Sequence, residues 1–581
     1  MNATLPDVIE RAAATSDPAL HGLRFLDRRE DATWYSHGEF RARVAATAGA
    51  LAAHGVRPGD RVAIVLPTCP EFLEVFFGAQ WIGAIPVALY PPVRLGRLDE
   101  YHERTAAMLK VVGAAVLYTD SRIGRMLGQT VARWRPRLGV RDVAGLAYSP
   151  PRDATPAAPD AVAMVQFSSG TTVDPKPVAL THAQMLANGR RITDSILGLL
   201  PPSLGHEPGG VSWLPLYHDM GLIGCLLPSL LGPGPLTLIS PEVFLARPAI
   251  WLRAIARYRG TTSPAPNFAY ALATERIRDE ELDGCDLSCW RMAMNGAEPL
   301  SATTLRAFEK RFARWGLRRD AMMPVYGLSE ATLAVTFTRP GTPWQGRRFD
   351  AASLARGVAK ENPLGNEWVS CGSPLPDFDV EVRDGDGDAL EEGRVGRIHV
   401  RGPSVMHGYL DARPSPVRDG WLDTGDLGFL HEGQLYVTGR AKDVLVLRGR
   451  NHAPQELERA VDGVAGVRTG CTAAVARITP QGERVLLFVE ARERRDALEA
   501  ECREAVLAAC GVAVDEVVVV EPGTLPRTSS GKIRRSEALR LHDEGELHAP
   551  SPVNLATIGG AMLKSAAGYV RSRLRGAAEE A

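Results

Sequence analysis

The chain has no uninterrupted apolar run long enough to cross a bilayer as a helix, so no membrane-spanning segment is expected. It has no surplus of either charge. Lys and Arg number 67 against 68 Asp and Glu, for a formal net charge of −1, which removes the bulk electrostatics that would hold a nucleic acid. Cysteines are few, eight in 581 residues. Only Cys285 and Cys289 lie close together, and no second pair or histidine completes zinc-finger spacing near them, so reduced thiols are expected. The N-terminal stretch MNATLPDVIERAAATSDPAL carries Asp7 and Glu10 and has no apolar core of a secretory signal. A cytoplasmic protein is therefore expected. The G-x-x-x-x-G-K-[ST] phosphate loop is also missing, which excludes the P-loop nucleotidases.

What is present is the balance of a globular protein, 45% hydrophobic and 23% charged residues, at a length that calls for two or more packed units. RVAIVLP (61–67), AAVLYTD (114–120) and LTLIS (236–240) read as strands, and FLEVFFGAQWIGA (72–84) as a helix. Strands alternating with helices predict an α/β fold with largely parallel sheets covered on both faces. A break falls near Gly439-Arg440. Beyond it strand, helix, strand, strand follow over about a hundred residues, the size of a small α+β domain. The polar stretch HDEGELHAPSP reads as a linker. In the last segment Leu555, Ile558, Met562, Ala566, Val570 and Leu574 recur at helical spacing among Lys564, Arg571, Arg573 and Arg575. Such a basic amphipathic helix suits a peripheral membrane or carrier contact, or packing on its own protein.

The segment MVQFSSGTTVDPKPVALTH (164–182) carries the most chemistry. A strand-like lead enters Ser168, Ser169, Gly170, Thr171 and Thr172, whose N–H groups and hydroxyls suit phosphate oxygens, with Lys176 nearby as a point charge. On its own the loop reads equally as a polar turn. It is followed in order by NGAEP (295–299), YGLSEAT (326–332), TGD (424–426), GRAKD (439–443) and SSGKIRR (529–535). This succession, across roughly residues 10 to 540, resembles the adenylate-forming enzymes: acyl-CoA synthetases, peptide-synthetase adenylation domains and luciferases.

The resemblance implies ATP and Mg2+ as cofactors and a division of labour. Glu330 would help to hold Mg2+. Tyr326 would offer a flat ring to adenine, with Gly296, Ala297 and Glu298 approaching its other face and Gly327, Leu328 and Ser329 completing the pocket. Asp426 would take the ribose hydroxyls with Arg440 beside it. Lys532 would reach the α-phosphate and the carboxylate, and Lys442 would be the pivot on which the small domain turns between two half-reactions. Without the resemblance these are, in turn, a helix cap, a core tyrosine, a turn aspartate and solvated lysines. The implied division is a large domain over 1–439, a hinge at 440–442, a small domain over 443–540, and a linker with a terminal helix over 541–581.

Within that superfamily SWLPLYHDMGLIG (212–224), SPAPNFAYALA (263–273), VSCG (369–372) and LVLRGRNHAPQELE (445–458) resemble the fatty acyl-AMP ligases, as does an insertion at about 339–368. These form an acyl-adenylate from a medium- to long-chain fatty acid. They pass the acyl group to the phosphopantetheine thiol of an acyl carrier protein, in polyketide, lipopeptide or lipid synthesis. The resemblance implies acyl contacts from His218, Asp219, Met220, Phe268 and Tyr270, and a catalytic place for His218 beside Lys532 and Glu330. The family's loop reads Thr-Gly-x-Pro-Lys-Gly, whereas this chain has Val173 and Pro177 at the two glycines. Val173 resists positive φ and Pro177 has no N–H, so a stiffer loop is expected. A long-chain acyl-CoA synthetase differs only in acceptor and stays open as an alternative, as does a nucleotide-binding relative without catalysis. A peptide-synthetase adenylation domain is disfavoured by the apolar surroundings of Gly221–Ile239.

Overall fold

A computed structural model describes residues 3–92, 98–168, 175–198, 208–447, 450–479, 482–493, 495–528, 532–549 and 564–570. Strand Arg61–Val65 is buried from Val62 onward and pairs in parallel with Ile85–Leu89 on one side and Val116–Thr119 on the other. Its Val and Ile residues suit a strand covered on both faces. Val140–Asp142 and Val162–Ser168 extend this sheet in parallel, and Lys176–Thr181 closes it antiparallel. The helix expected over 72–84 runs from Pro70 to Trp81. Proline suits its first turn, and Gly83 at φ 73° ends it.

A second sheet joins Ala32–Ser36, Gly22–Leu26, Pro235–Ile239 and Gly210–Ser212. Single bridges through Thr262 carry it towards Ala293–Asn295, Met322–Gly327 and Ala334–Phe337. Helices stack between these two sheets on a core that includes Phe72, Phe76, Trp251, Trp290 and Phe308.

The expectation of largely parallel sheets fails in the third. Asp379–Arg383, Gly396–Arg401, Trp421–His431 and Gln434–Arg440 pair antiparallel throughout. Parallel strands need crossovers of a dozen or more residues. Here Trp421–His431 turns into Gln434–Arg440 through Glu432 and Gly433 alone, at φ 51° and 69°, the positive-φ pair that a tight hairpin requires.

Strand Gln434–Arg440 runs into the short turn Ala441–Asp443. The small domain that follows packs Pro454–Val461 and Leu498–Cys510 on one face of a sheet of Val467–Thr479, Gly482–Ala491 and Glu516–Val520, and Arg535–Asp543 on the other. Arg534 reaches Glu100 of the large domain at 2.6 Å and Arg492 reaches Glu275 at 3.3 Å.

Of the terminal segment, residues 564–570 are described. They form a helix packed on the chain's own large domain. Ser565 Oγ accepts from Gly128 N at 2.8 Å and Tyr569 donates to the Gly124 carbonyl at 2.8 Å. The buried positions are Ser565 and Gly568, while Ala566 and Val570 of the expected apolar face are exposed. Close approach decides this: a methyl on Gly568 would meet the Gly128 carbonyl oxygen at 2.4 Å, so the smallest residues face inward. The remaining terminal positions lie outside the described residues.

Candidate active site

Three strands deliver their carboxyl ends to one place, where open parallel sheets present ligand sites. Val162–Ser168 ends at Ser168, Ala293–Asn295 leads into Gly296-Ala297-Glu298, and Met322–Gly327 leads into Leu328-Ser329-Glu330. Ser169, Gly170, Thr171 and Thr172 lie outside the described residues.

The turn carrying Glu330 is strained and firmly held. A methyl on Gly327 would lie 1.7 Å from the Leu333 carbonyl oxygen, and Thr332 adopts φ 72°. Asn188 clamps the turn by accepting from Ala334 N at 3.0 Å and donating to Ala334 O at 2.8 Å, and Thr332 donates to Ser404 O at 2.7 Å. Strain of this kind persists where surrounding bonds over-determine it. Ala297, at φ 67°, is a second such position beside the same cavity.

Asp426 is buried and engaged at both oxygens. Tyr326 donates to Oδ2 at 2.8 Å and Arg440 lies 3.0 Å from Oδ1. Each carboxylate oxygen has room for another donor. Burial, then the Asp426 charge, push the Tyr326 phenol well up, so it stays a donor. On the opposite wall His218 Nδ1 lies 2.7 Å from Asp219 Oδ1, and Ser329 donates to Asp219 Oδ2. Burial acts to raise the Asp219 carboxyl, but His218, Ser329 and Lys532 outweigh it and hold it at about 2. Glu298 accepts from Phe268 N, and burial raises its carboxyl.

Lys532 enters this cavity from the small domain. Its loop closes on itself, with Thr528 N donating to Lys532 O at 2.7 Å and Lys532 N to Thr528 Oγ1 at 3.0 Å. Burial, then the Arg440 charge, lower the ammonium, while Asp219, Glu298 and Asp426 support it. Lys442 stands exposed in the turn Ala441–Asp443 after Arg440. The next residue, Asp443, pairs with Arg535 at 3.3 Å.

The cavity holds about 1200 Å3, and its lining includes the apolar side chains of Trp213, Leu214, Met220, Phe268, Leu272 and Leu333. Trp213 stacks on Phe244 with centroids 3.9 Å apart and meets Phe268 edge-on at 5.9 Å. Tyr270 is not on this wall. It is fully buried behind it, donating to the Met294 carbonyl at 2.8 Å and packed against Trp251, Trp290 and Phe308. Helix Asn267–Arg276 turns Phe268 to the cavity and Tyr270 to the core, a distinction that two aromatics two residues apart do not reveal in sequence.

The stretch expected as an insertion forms the hairpin Gly346–Phe349 with Asn366–Val369. Phe349 and Trp368 root it on Phe429 and Tyr436 of the third sheet. The same strand Asn366–Val369 touches the small domain: the Arg459 guanidinium lies 4.7 Å from the Trp368 ring centre, and Asn366 donates to the Ala509 carbonyl at 3.5 Å.

Residues 10–410 match the family model described as AMP-binding enzyme. The chain belongs to that family. It is 35% identical over 525 residues to a protein of Caulobacter vibrioides named as an unproven acyl-CoA synthetase, with 86% of this chain and 89% of the relative covered. It is 34% identical over 559 residues to the long-chain-fatty-acid–AMP ligase FadD26 of Mycobacterium marinum, with 88% and 91% covered. A solved structure from work on fatty acyl-adenylate ligases of E. coli and L. pneumophila superposes with a TM-score of 0.86 at 33% identity, covering 93% of this chain and 98% of that one. The adenylate-forming fold therefore extends over nearly the whole chain, small domain included, and the AMP-binding enzyme is an acid-activating ligase. Two residues of the cavity wall were given no role from the sequence: Tyr409 lies outside every motif quoted, and Trp213 lies within SWLPLYHDMGLIG, where nothing in the spacing turns its ring towards the cavity.

Proposed function

We propose that this enzyme activates a medium- to long-chain fatty acid as its acyl-adenylate and passes the acyl group to the phosphopantetheine thiol of an acyl carrier protein. One observation carries the first step: Lys532 enters, from the other domain, a cavity walled by Asp219, Glu298, Asp426 and Arg440 and lined as well by Trp213, Met220 and Phe268. Carboxylate and ATP repel each other in water. A cation between them, in a site that excludes water, lowers that barrier and stabilises charge as it moves.

The fatty carboxylate oxygen bonds to the α-phosphorus as the bond to the β-phosphate oxygen breaks, and pyrophosphate leaves with that electron pair. Asp426 and Arg440 orient the ribose, the Tyr326 ring and the 296–298 backbone hold the base, and Lys532 bridges carboxylate and α-phosphate. Met220, Phe268 and Trp213 line the way for the alkyl chain, with His218, steadied by Asp219, at its head.

Glu330 fits a Mg2+ role. Its carboxylate offers hard oxygen donors of the kind Mg2+ takes and would hold the ion beside the substrate phosphates. When bound, Mg2+ neutralises charge on the phosphate oxygens.

The carrier as acceptor is supported by Trp368 and Asn366, which tie the small domain to the insertion and oppose the rotation that a CoA-using second step requires. Pyrophosphate exchange into ATP, dependent on dodecanoic or hexadecanoic acid, tests the first step. Label incorporation in the wild type, lost in Lys532→Ala, is the expected result. Exchange without fatty acid, or undiminished in the variant, contradicts it.

A further inference from the structure

Residues 406–410 hold two parts of the site at once. Met406 N donates to the Glu330 carbonyl at 2.8 Å. Four residues on, Leu410 N donates to the Pro177 carbonyl at 2.8 Å, and Tyr409 bridges Val178 antiparallel. One short segment therefore fixes the turn bearing Glu330 and the strand bearing Lys176. Pro177 is tolerated here because this contact uses its carbonyl and asks for no N–H.

The Tyr409 side chain repeats the connection. Its hydroxyl accepts from Lys176 Nζ at 3.4 Å and donates to Glu330 Oε1 at 3.1 Å. The Lys176 ammonium also stands 5.4 Å from the ring centre, and the Arg413 guanidinium 5.5 Å from it. Donor and acceptor senses run one way, ammonium to phenol to carboxylate, the polarity in which chained hydrogen bonds reinforce one another.

We propose that Tyr409 is a positioning residue for adenylation: its hydroxyl ties Lys176 to Glu330 and sets the distance between the cation that meets the phosphates and the carboxylate that meets their Mg2+. This rests on the function proposed above. Tyr409 touches neither reacting atom; it acts through its two partners, as groups behind a metal ligand commonly do.

The test is calorimetric binding of a non-hydrolysable ATP analogue with Mg2+ to the full chain, in wild type, Tyr409→Phe, Lys176→Met and the double variant. Tyr409→Phe removes one oxygen and keeps the ring. It is expected to weaken binding about tenfold, with the KM for fatty acid and the melting temperature unchanged. The double variant is expected to bind no worse than Lys176→Met alone within about threefold, as members of one network do. Wild-type affinity in Tyr409→Phe, or two losses that multiply, overturns the proposal. If Tyr409→Phe melts early, the same cycle with Lys176→Met and Glu330→Gln decides: their side chains communicate through Tyr409, so coupled losses support the link and multiplying losses overturn it. A wild type that binds no analogue contradicts the proposed function instead.

Discussion

At Gly327 a methyl in place of hydrogen would lie 1.7 Å from the Leu333 carbonyl oxygen, a backbone atom that cannot swing aside. Gly327→Ala is therefore expected to cost about 3 kcal/mol or more, read as a fall in melting temperature of the purified chain. A melting curve matching the wild type would show that the turn has slack. Asp219 makes a different prediction, one of pH. Its folded value, about 2, lies below the ordinary 3.8. Its contribution is therefore full above about pH 4 and is lost as pH falls through about 2. That contribution is about 2 kcal/mol. In Asp219→Asn it should be missing at neutral pH, so the stability difference between variant and wild type should shrink on acidification from pH 5 to pH 2. A difference that stays constant over that range would mean the carboxylate is not held by its partners.

Among elements, those built on short-range chemistry could be read from the sequence. Buried β-branched runs marked the strands at 61–65 and 116–119, and the motifs that reach the cavity lie at strand ends. Long-range consequences could not be read. The third sheet is antiparallel because of hairpins, Tyr270 faces the core because of where helix Asn267–Arg276 sits, and Tyr409 matters because distant strands bring Lys176 and Glu330 to it. The terminal helix is the clearest case. Apolar periodicity picked the Ala566 and Val570 face, whereas steric fit selected Ser565 and Gly568. A methyl on Gly128 would meet the Ser565 carbonyl oxygen at 1.8 Å. Gly128→Ala should therefore free residues 564–570 to limited proteolysis while leaving fatty-acid-dependent exchange intact. Unchanged protection would show that the contact can shift without loss.

For the molecule as a whole, the two domains line one cavity. Lys532 is offered by the small domain to charges on the large one, and the strand pair Gly346–Phe349 with Asn366–Val369 meets the small domain through Trp368. A cation over an indole contributes about 0.5–2 kcal/mol, so Trp368→Ala should raise the rotated population by about 2- to 30-fold. Acyl-CoA formation, measured with CoA present, should rise with it. An unchanged CoA rate would remove the insertion from the choice of acceptor.

The most direct measurement incubates the protein with ATP, Mg2+ and hexadecanoic acid, with and without CoA, and separates the products. The account predicts acyl-AMP in both, untouched by CoA and discharged by a carrier protein bearing phosphopantetheine. Acyl-CoA and free AMP would contradict it and make the chain an acyl-CoA synthetase.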